Sequence, residues 1–409
     1  MNELGLRALS GLGFVVLLGL AWLASSDRSA IDRRLVGWGV AIQLGLATAL
    51  LATPLRELFF PFVEALVGFL IEYTQAGTRF VFGDLVDVGH TFALGVLPII
   101  IFMSSLFGAL YYLGWIQPVV HGLARLLARS LRVSGAEALA AVANVFVGMI
   151  ESGVVVRPYL THMTRSELFA FMTLGMSTIA GSVLVAYAGM LGPGYAGHLV
   201  VASVISAPAG LVVAKIMVPE TGHPETLRGG VEIEGSRAYN LIDAAAEGGI
   251  VGLRLALNIG ALLVAFVALI AMVNGMLSGI GSLFGAAELT LESILGFLLA
   301  PLAFVMGIPW SEAREIGTLL GLKTVANEFF AYQALAESIA SGQISQRTAM
   351  IAAYALCGFA NFGSLAILLG GIQGIAPERR PEAAGLGLRS IVAGTLATCM
   401  TGCLAGLIV

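Results

Sequence analysis

Two glutamates, Glu151 and Glu328, stand in otherwise apolar sequence at the ends of two segments that read as copies of each other. A carboxylate kept at membrane depth is costly, so it is by default a functional group. Near the first lie Asn144, Val147, Gly148, Met149, Ile150 and Ser152, and near the second lie Lys323 and Asn327. Asn144 and the adjacent carbonyls offer neutral oxygens to a small hard cation. Glu328, with Asn361 and Ser364 downstream, suits a sugar diol, because a carboxylate accepts from two hydroxyls while the amide donates back.

Sliding the chain against itself by 182 residues lays Arg165 on Arg347, Ala170 on Ala352, Leu174 on Leu356, Gly181 on Gly363 and Ser182 on Ser364. Upstream, Ala143-Asn144 recurs as Ala326-Asn327. Paired segments broken by Gly or Pro in corresponding halves point to a transporter site near the bilayer midplane.

The elements that must position these residues are membrane helices. The chain of 409 residues is 58% hydrophobic and 11% charged, against about 25% charged in an ordinary soluble domain. Apolar stretches near 5–25, 36–55, 90–114, 164–190, 195–217, 250–280, 347–371 and 386–409 are each long enough to cross the hydrocarbon, which takes about 20 residues. The first stretch is expected to be a retained helix, since it lacks a basic leader and carries Glu3 early. Arg28, Arg33, Arg34, Arg379, Arg380 and Arg389 flank two connections; if these face the cytoplasm, both termini face outward. The net charge of −4 says little about partners.

Between the spans lie other pieces. Charges spread among aromatics over 56–89 suit a helix lying in the interface, and Arg125, Arg129 and Arg132 make one face of 117–132 basic. Ser134 and Glu137 have capping-box spacing and open a helix from Ala136 to Phe146 that stops at Gly148; the apolar piece Val154–Leu160 follows. Helix, glycine tip and second short helix together predict a re-entrant hairpin. A second is expected where Thr290–Gly307 meets Pro309, Trp310 and Ser311 and continues as Glu312–Phe330. The acidic, Pro- and Gly-bearing stretch 219–248 reads as a solvent-exposed linker.

The expected fold is therefore an all-α integral membrane protein with about eight transmembrane helices and two re-entrant hairpins in an inverted repeat. Its expected divisions are 1–89, 90–218, 219–248 and 249–409. Cys357, Cys399 and Cys403 sit in apolar helices as packing residues, and His90, His121, His162, His198 and His223 form no close-spaced pair, so a metalloenzyme has no support. No phosphate-binding Gly-x4-Gly-Lys-Ser/Thr loop argues for an ATP-driven pump. A channel would need a continuous polar lining, and an enzyme would need a nucleophile beside a base.

Several runs resemble the concentrative nucleoside transporter family. They are Ala143-Asn144-Val145-Phe146-Val147-Gly148, Glu151, Val155-Val156-Arg157-Pro158, Gly321-Leu322-Lys323-Thr324-Val325-Ala326-Asn327-Glu328-Phe329, Cys357-Gly358-Phe359-Ala360-Asn361 and Leu255-Ala256-Leu257-Asn258. The resemblance implies a homotrimer in a bacterial inner membrane, contacting lipid, which imports nucleosides with sodium by alternating access. It implies sodium as the coupling ion, no other cofactor and no nucleic-acid partner. Glu328, Asn361 and Ser364 would hold the ribose, with Phe359 against the substrate; Gly148, Met149, Ile150, Glu151 and Val183 would form the base side. Sodium would sit among the Asn144 side chain, the Val147 and Ile179 carbonyls and the Thr178 hydroxyl.

Relatives usually carry Gly-Gln-Thr-Glu-Ala-Pro at the first tip, where this chain has Gly148-Met149-Ile150-Glu151-Ser152-Gly153. Two polar base readers are thus replaced by apolar side chains, which leaves two readings: the base is held by stacking, by Glu151 and by water, or the preference shifts toward a different base or a modified nucleoside. Proton coupling through Glu151 or Glu328 is the alternative to sodium.

Overall fold

A chain in hydrocarbon has to pair each backbone N–H and C=O within itself, so the apolar runs can only become helices. The computed structural model describes residues 2–87, 92–227, 238–283 and 289–409, and no strand occurs among them. The first half contains α1 (Glu3–Leu23), α2 (Arg33–Leu51), α3 (Leu55–Phe82), α4 (Phe92–Gly95), α5 (Leu97–Tyr112) and α6 (Ile116–Leu131). There follow α7 (Gly135–Val147), α8 (Met149–Val155), α9 (Arg157–Leu160), α10 (Arg165–Ser177), α11 (Gly181–Leu191) and α12 (Ala196–Met217). The second half contains α13 (Leu241–Leu283), α14 (Leu291–Val305), α15 (Trp310–Val325), α16 (Glu328–Ala340), α17 (Gln346–Leu356), α18 (Phe362–Ile375) and α19 (Arg380–Ile408).

Seven described stretches are long and apolar enough to cross a membrane, and an eighth appears if α14 and α15, bent by 117°, count as one. The expected span 347–371 is not among the seven. It is two half-length helices, α17 and α18, separated by Cys357–Asn361. Its counterpart in the first half breaks likewise, between α10 and α11 at Thr178–Ala180. Ser182 and Ser364, matched in sequence, both fall in the first turn after a break.

The helices divide by burial. Nearly all of the apolar stretch of the α10–α11 pair and of α12 is buried, and most of that of α19, whereas only about a fifth of that of α4–α5 and of α13 is. The first group forms the core, and α5 with α13 forms a layer beside it. That layer is stitched by small residues: a Cβ on Gly108 would lie 2.7 Å from the Ala244 carbonyl oxygen, and one on Gly248 would lie 2.5 Å from that of Ser104. Close backbone approach of this kind is how apolar helices associate where no hydrophobic force separates them from lipid.

Three boundaries differ from the sequence expectation. First, the expected break at Pro309, the N-cap of α15, is present as the 117° bend between α14 and α15, but the arm Glu312–Phe330 is broken again at Ala326–Asn327, where Asn327 caps α16 by accepting from the Phe330 amide at 2.9 Å. Second, the return arm of the first pair starts at Met149, directly after Gly148, and not at Val154.

Third, α13 begins at Leu241, inside the stretch expected to be linker, so Asp243 and Glu247 are helical. The described part of the linker is also engaged. Thr226 is buried and takes the Gly135 amide on its carbonyl and the Ala136 amide on its hydroxyl. Glu232, Glu234 and His90 lie outside the described residues.

Candidate functional site

The first tip begins with the capping box that the sequence announces. Ser134 Oγ accepts from the Glu137 amide at 3.2 Å, and Glu137 Oε2 accepts from the Ser134 amide at 3.0 Å. The other Glu137 oxygen pairs with Lys215, which also donates to Ser166 Oγ at 2.9 Å and to Glu220 Oε2 at 3.2 Å. This buried cluster ties the foot of α7 to α10 and to the end of α12. Breaking one partner of such a group costs about 3–5 kcal/mol, because a charge is left uncompensated.

At the far end, Gly148 has φ 106°. A side chain there would be strained by that conformation and would also sit 3.0 Å from Glu151 Oε2. Asn144, in the last turn before it, is 1% exposed. Its Nδ2 donates to the Leu174 carbonyl at 2.9 Å and to Thr178 Oγ1. A carbonyl can only accept, so the amide nitrogen has to face Leu174. Its Oδ1 consequently stays buried without a partner. Such an orphaned acceptor is unusual among native side chains and fits a cation.

Of the four expected sodium ligands, the structure brings Asn144 and Thr178 into contact. Val147 closes the same helix as Asn144, and the Ile179 carbonyl follows Thr178 and accepts from Ser203 Oγ at 3.3 Å.

Glu151 is exposed into a cavity of about 320 Å³ between the first tip and the α5–α13 layer. Val147 and Ser182 line it from the core, and Ser104, Tyr111 and Glu247 line it from the outer layer. Glu247, expected to be linker, is thus a residue of this cavity that sequence patterning missed. Met149 and Ile150 turn elsewhere: a Cβ on Gly175 would lie 3.3 Å from Met149 Cβ, and one on Gly371 would lie 3.6 Å from Ile150 Cγ1. Val183 is buried in the first turn of α11.

The second tip is more fully bonded. Glu328 opens α16 and is 3% exposed. Asn361 Nδ2 donates to Glu328 Oε2 at 2.7 Å, while the Tyr187 hydroxyl donates to Oε1 at 2.8 Å. Asn361 also caps α18, accepting from the Ser364 amide at 2.7 Å, so the break in α17–α18 and the second tip share one side chain. Glu328, Asn361 and Ser364 are therefore brought together as expected, with Phe359 buried in the intervening break. Among the described residues these four do not line the cavity at Glu151.

Tyr187 is the residue that sequence reasoning did not single out. An aromatic in an apolar helix carries no signal of its own, and only the fold brings it to Glu328. Lys323 is buried beneath the tip, donating to the Ala355 carbonyl at 3.0 Å and to Thr398 Oγ1 at 3.2 Å. The ammonium thus meets a carbonyl in the last turn of α17, the negative end of that helix.

The two breaks meet. A Cβ on Gly358 would lie 2.8 Å from the Met176 carbonyl oxygen and 3.1 Å from the Ser177 carbonyl carbon. Two discontinuous helices thus cross at their unwound segments, with polar side chains from two tips converging on them.

Three family models match along the chain. "Na+ dependent nucleoside transporter N-terminus" covers residues 12–85, "Nucleoside recognition" covers 93–194, and "Na+ dependent nucleoside transporter C-terminus" covers 198–406. The chain belongs to the concentrative, Na+ dependent nucleoside transporter family. It is 45% identical over 401 residues to the uncharacterized transporter YutK of Bacillus subtilis, covering 97% of this chain and 98% of that protein. It is 38% identical over 411 residues to the nucleoside permease NupC of Helicobacter pylori, covering 98% and 97%.

The solved structure of CNTnw in an inward-facing substrate-bound state superposes with a TM-score of 0.93 at 43% identity, covering 98% of each chain. The transporter is therefore a multi-pass membrane protein and not an enzyme.

Proposed function

We propose that the protein imports nucleosides across a bacterial inner membrane by sodium symport, with the sugar held at the second tip and the cation at the first. The observation that carries this is Glu328, a buried carboxylate whose two oxygens are oriented by separate donors. Each oxygen keeps a second lone pair, and a vicinal diol presents two hydroxyls at matching separation. Ser364 lies in the first turn beside Asn361, and Phe359 adds an apolar contact.

Sodium coupling is supported by the orphaned Asn144 Oδ1 next to the Thr178 hydroxyl. With the Val147 and Ile179 carbonyls these are neutral oxygens at a tip that the ion would order. Linkage then raises nucleoside affinity when sodium binds, and sodium affinity when nucleoside binds. Glu151, Gly148 and Val183 stand on the base side, and because Met149 and Ile150 pack toward Gly175 and Gly371 they offer it no polar contact, which supports a shifted base preference.

Hairpins re-entering from opposite faces, an inverted repeat of 90–218 and 249–409, alternating access and a homotrimer complete the proposal. The exposed apolar residues of α13, among them Leu257, Val264 and Met272, support contact with lipid or neighbouring subunits.

Uptake by proteoliposomes tests the proposal. Labelled purine and pyrimidine nucleosides should accumulate with an inward sodium gradient and fail to do so when choline replaces sodium. Accumulation driven by an acid-outside pH jump without sodium would replace sodium with the proton, and no uptake of any nucleoside would overturn the cargo assignment.

A further inference from the structure

The geometry points to Tyr187 as a positioning residue of the sugar site, one that sets how strongly the transporter discriminates ribose from deoxyribose. The inference rests on Glu328 being the sugar carboxylate. Its own observation is independent: Tyr187 reaches Glu328 from α11, a different element from the α18 break that supplies Asn361.

A carboxylate at a helix start rotates about its side-chain torsions, and two donors on one oxygen would leave the other free to swing. Here each oxygen carries one donor from a separate helix, which fixes the plane of the group. Tyr187 is itself held. It stacks on Tyr332 with ring centroids 4.4 Å apart and meets Phe329 edge-on at 4.7 Å. Tyr332 in turn donates to the Ala353 carbonyl at 2.7 Å, in α17.

The phenol is fully buried, so its hydroxyl has no water to turn to, and Glu328 is its acceptor. With one lone pair per oxygen committed, one per oxygen remains, spaced for two adjacent hydroxyls. Removing the phenol oxygen would let Oε1 drift while Oε2 stays held by Asn361. The sugar hydroxyl on the Oε1 side would then lose its contribution, and the other would keep it.

The test is binding to the purified full-length transporter in sodium buffer, for uridine, 2′-deoxyuridine, 3′-deoxyuridine and the adenosine set. A hydrogen bond to a charged group contributes enough for roughly tenfold or more in affinity. In Tyr187→Phe, uridine or adenosine should bind about tenfold more weakly, while one of the two deoxy analogues changes little, so one ribose-to-deoxyribose ratio collapses.

Tyr332→Phe, which removes a hydroxyl of the same stack that does not touch Glu328, should leave both ratios intact. Tyr187→His, which keeps a ring donor, should recover part of the lost ratio and serves if the phenylalanine variant does not fold. Equal weakening of all ligands in both Tyr187 variants would make Tyr187 merely structural and overturn the inference. If Glu328→Gln leaves the ratios unchanged, the sugar-site assignment fails and takes this inference with it. If Glu328→Gln collapses them and Tyr187→Phe does not, the sugar site stands and Tyr187 has no part in it.

Discussion

The first tip leaves a polar side chain half satisfied, and the second leaves none. Asn144 keeps a buried oxygen without a partner, and nearby Glu151 faces an open cavity. Glu328 is enclosed, with both oxygens bonded by side chains from two other helices. Repeated sequence has thus produced two stations with different polar states. An incomplete shell suits a ligand that completes it, as a cation does, while a completed shell suits one read by pre-oriented groups.

Substitutions can break or sharpen this contrast. Glu328→Ala would strand the Tyr187 and Asn361 donors in a buried site, and nucleoside uptake should fall by about 100-fold or more. Asn144→Ala removes the incomplete shell itself. Equilibrium binding should show sodium and nucleoside affinity falling together, by about tenfold each; loss of nucleoside affinity with unchanged sodium dependence would remove Asn144 from the cation site.

Gly358→Ala forces a methyl group against the Met176 carbonyl where the two helix breaks cross. Overpacking of this kind costs about 1–3 kcal/mol, so thermal unfolding in detergent should shift downward and transport should fall with it. Met149→Gln combined with Ile150→Thr restores polar side chains at the first tip. The ranking of bases should change by roughly 10- to 200-fold for the most affected nucleoside, and an unchanged ranking would show that these two residues do not read the base. Smallest is Ser134→Ala, which removes the capping box at the foot of α7 and should cost about 1 kcal/mol, read as a small drop in melting temperature with coupling intact.

Much of the site is legible because polar residues are rare in this chain. Asn144, Glu328 and Asn361 stand out against apolar neighbours, and the spacing of Ser134 and Glu137 announces the start of α7. Tyr187 does not stand out, since an aromatic side chain between apolar ones reads as core until a carboxylate is placed beside its hydroxyl. The position of the second tip was also hidden. The expected break at Pro309 is present as the 117° bend between α14 and α15, but the further turn at Ala326–Asn327, where Asn327 caps α16, cuts a stretch that reads as one helix to Phe330. The break at Cys357–Asn361 was missed as well, because Gly358 and Asn361 are single marks inside a stretch whose hydropathy stays high enough for one span.

By itself the sequence determined that this chain folds as helices in a membrane, that its halves echo each other and that two acidic stations lie near matching breaks. Solvent dictates that much, since hydrocarbon forbids unpaired backbone and makes every retained charge conspicuous. Only the tertiary structure decided which donors reach Glu328, that Glu151 and Glu247 share one cavity and that Asn144 keeps an unpaired oxygen. Those outcomes depend on helices far apart in the chain crossing at one depth, and no local periodicity encodes where such a crossing falls.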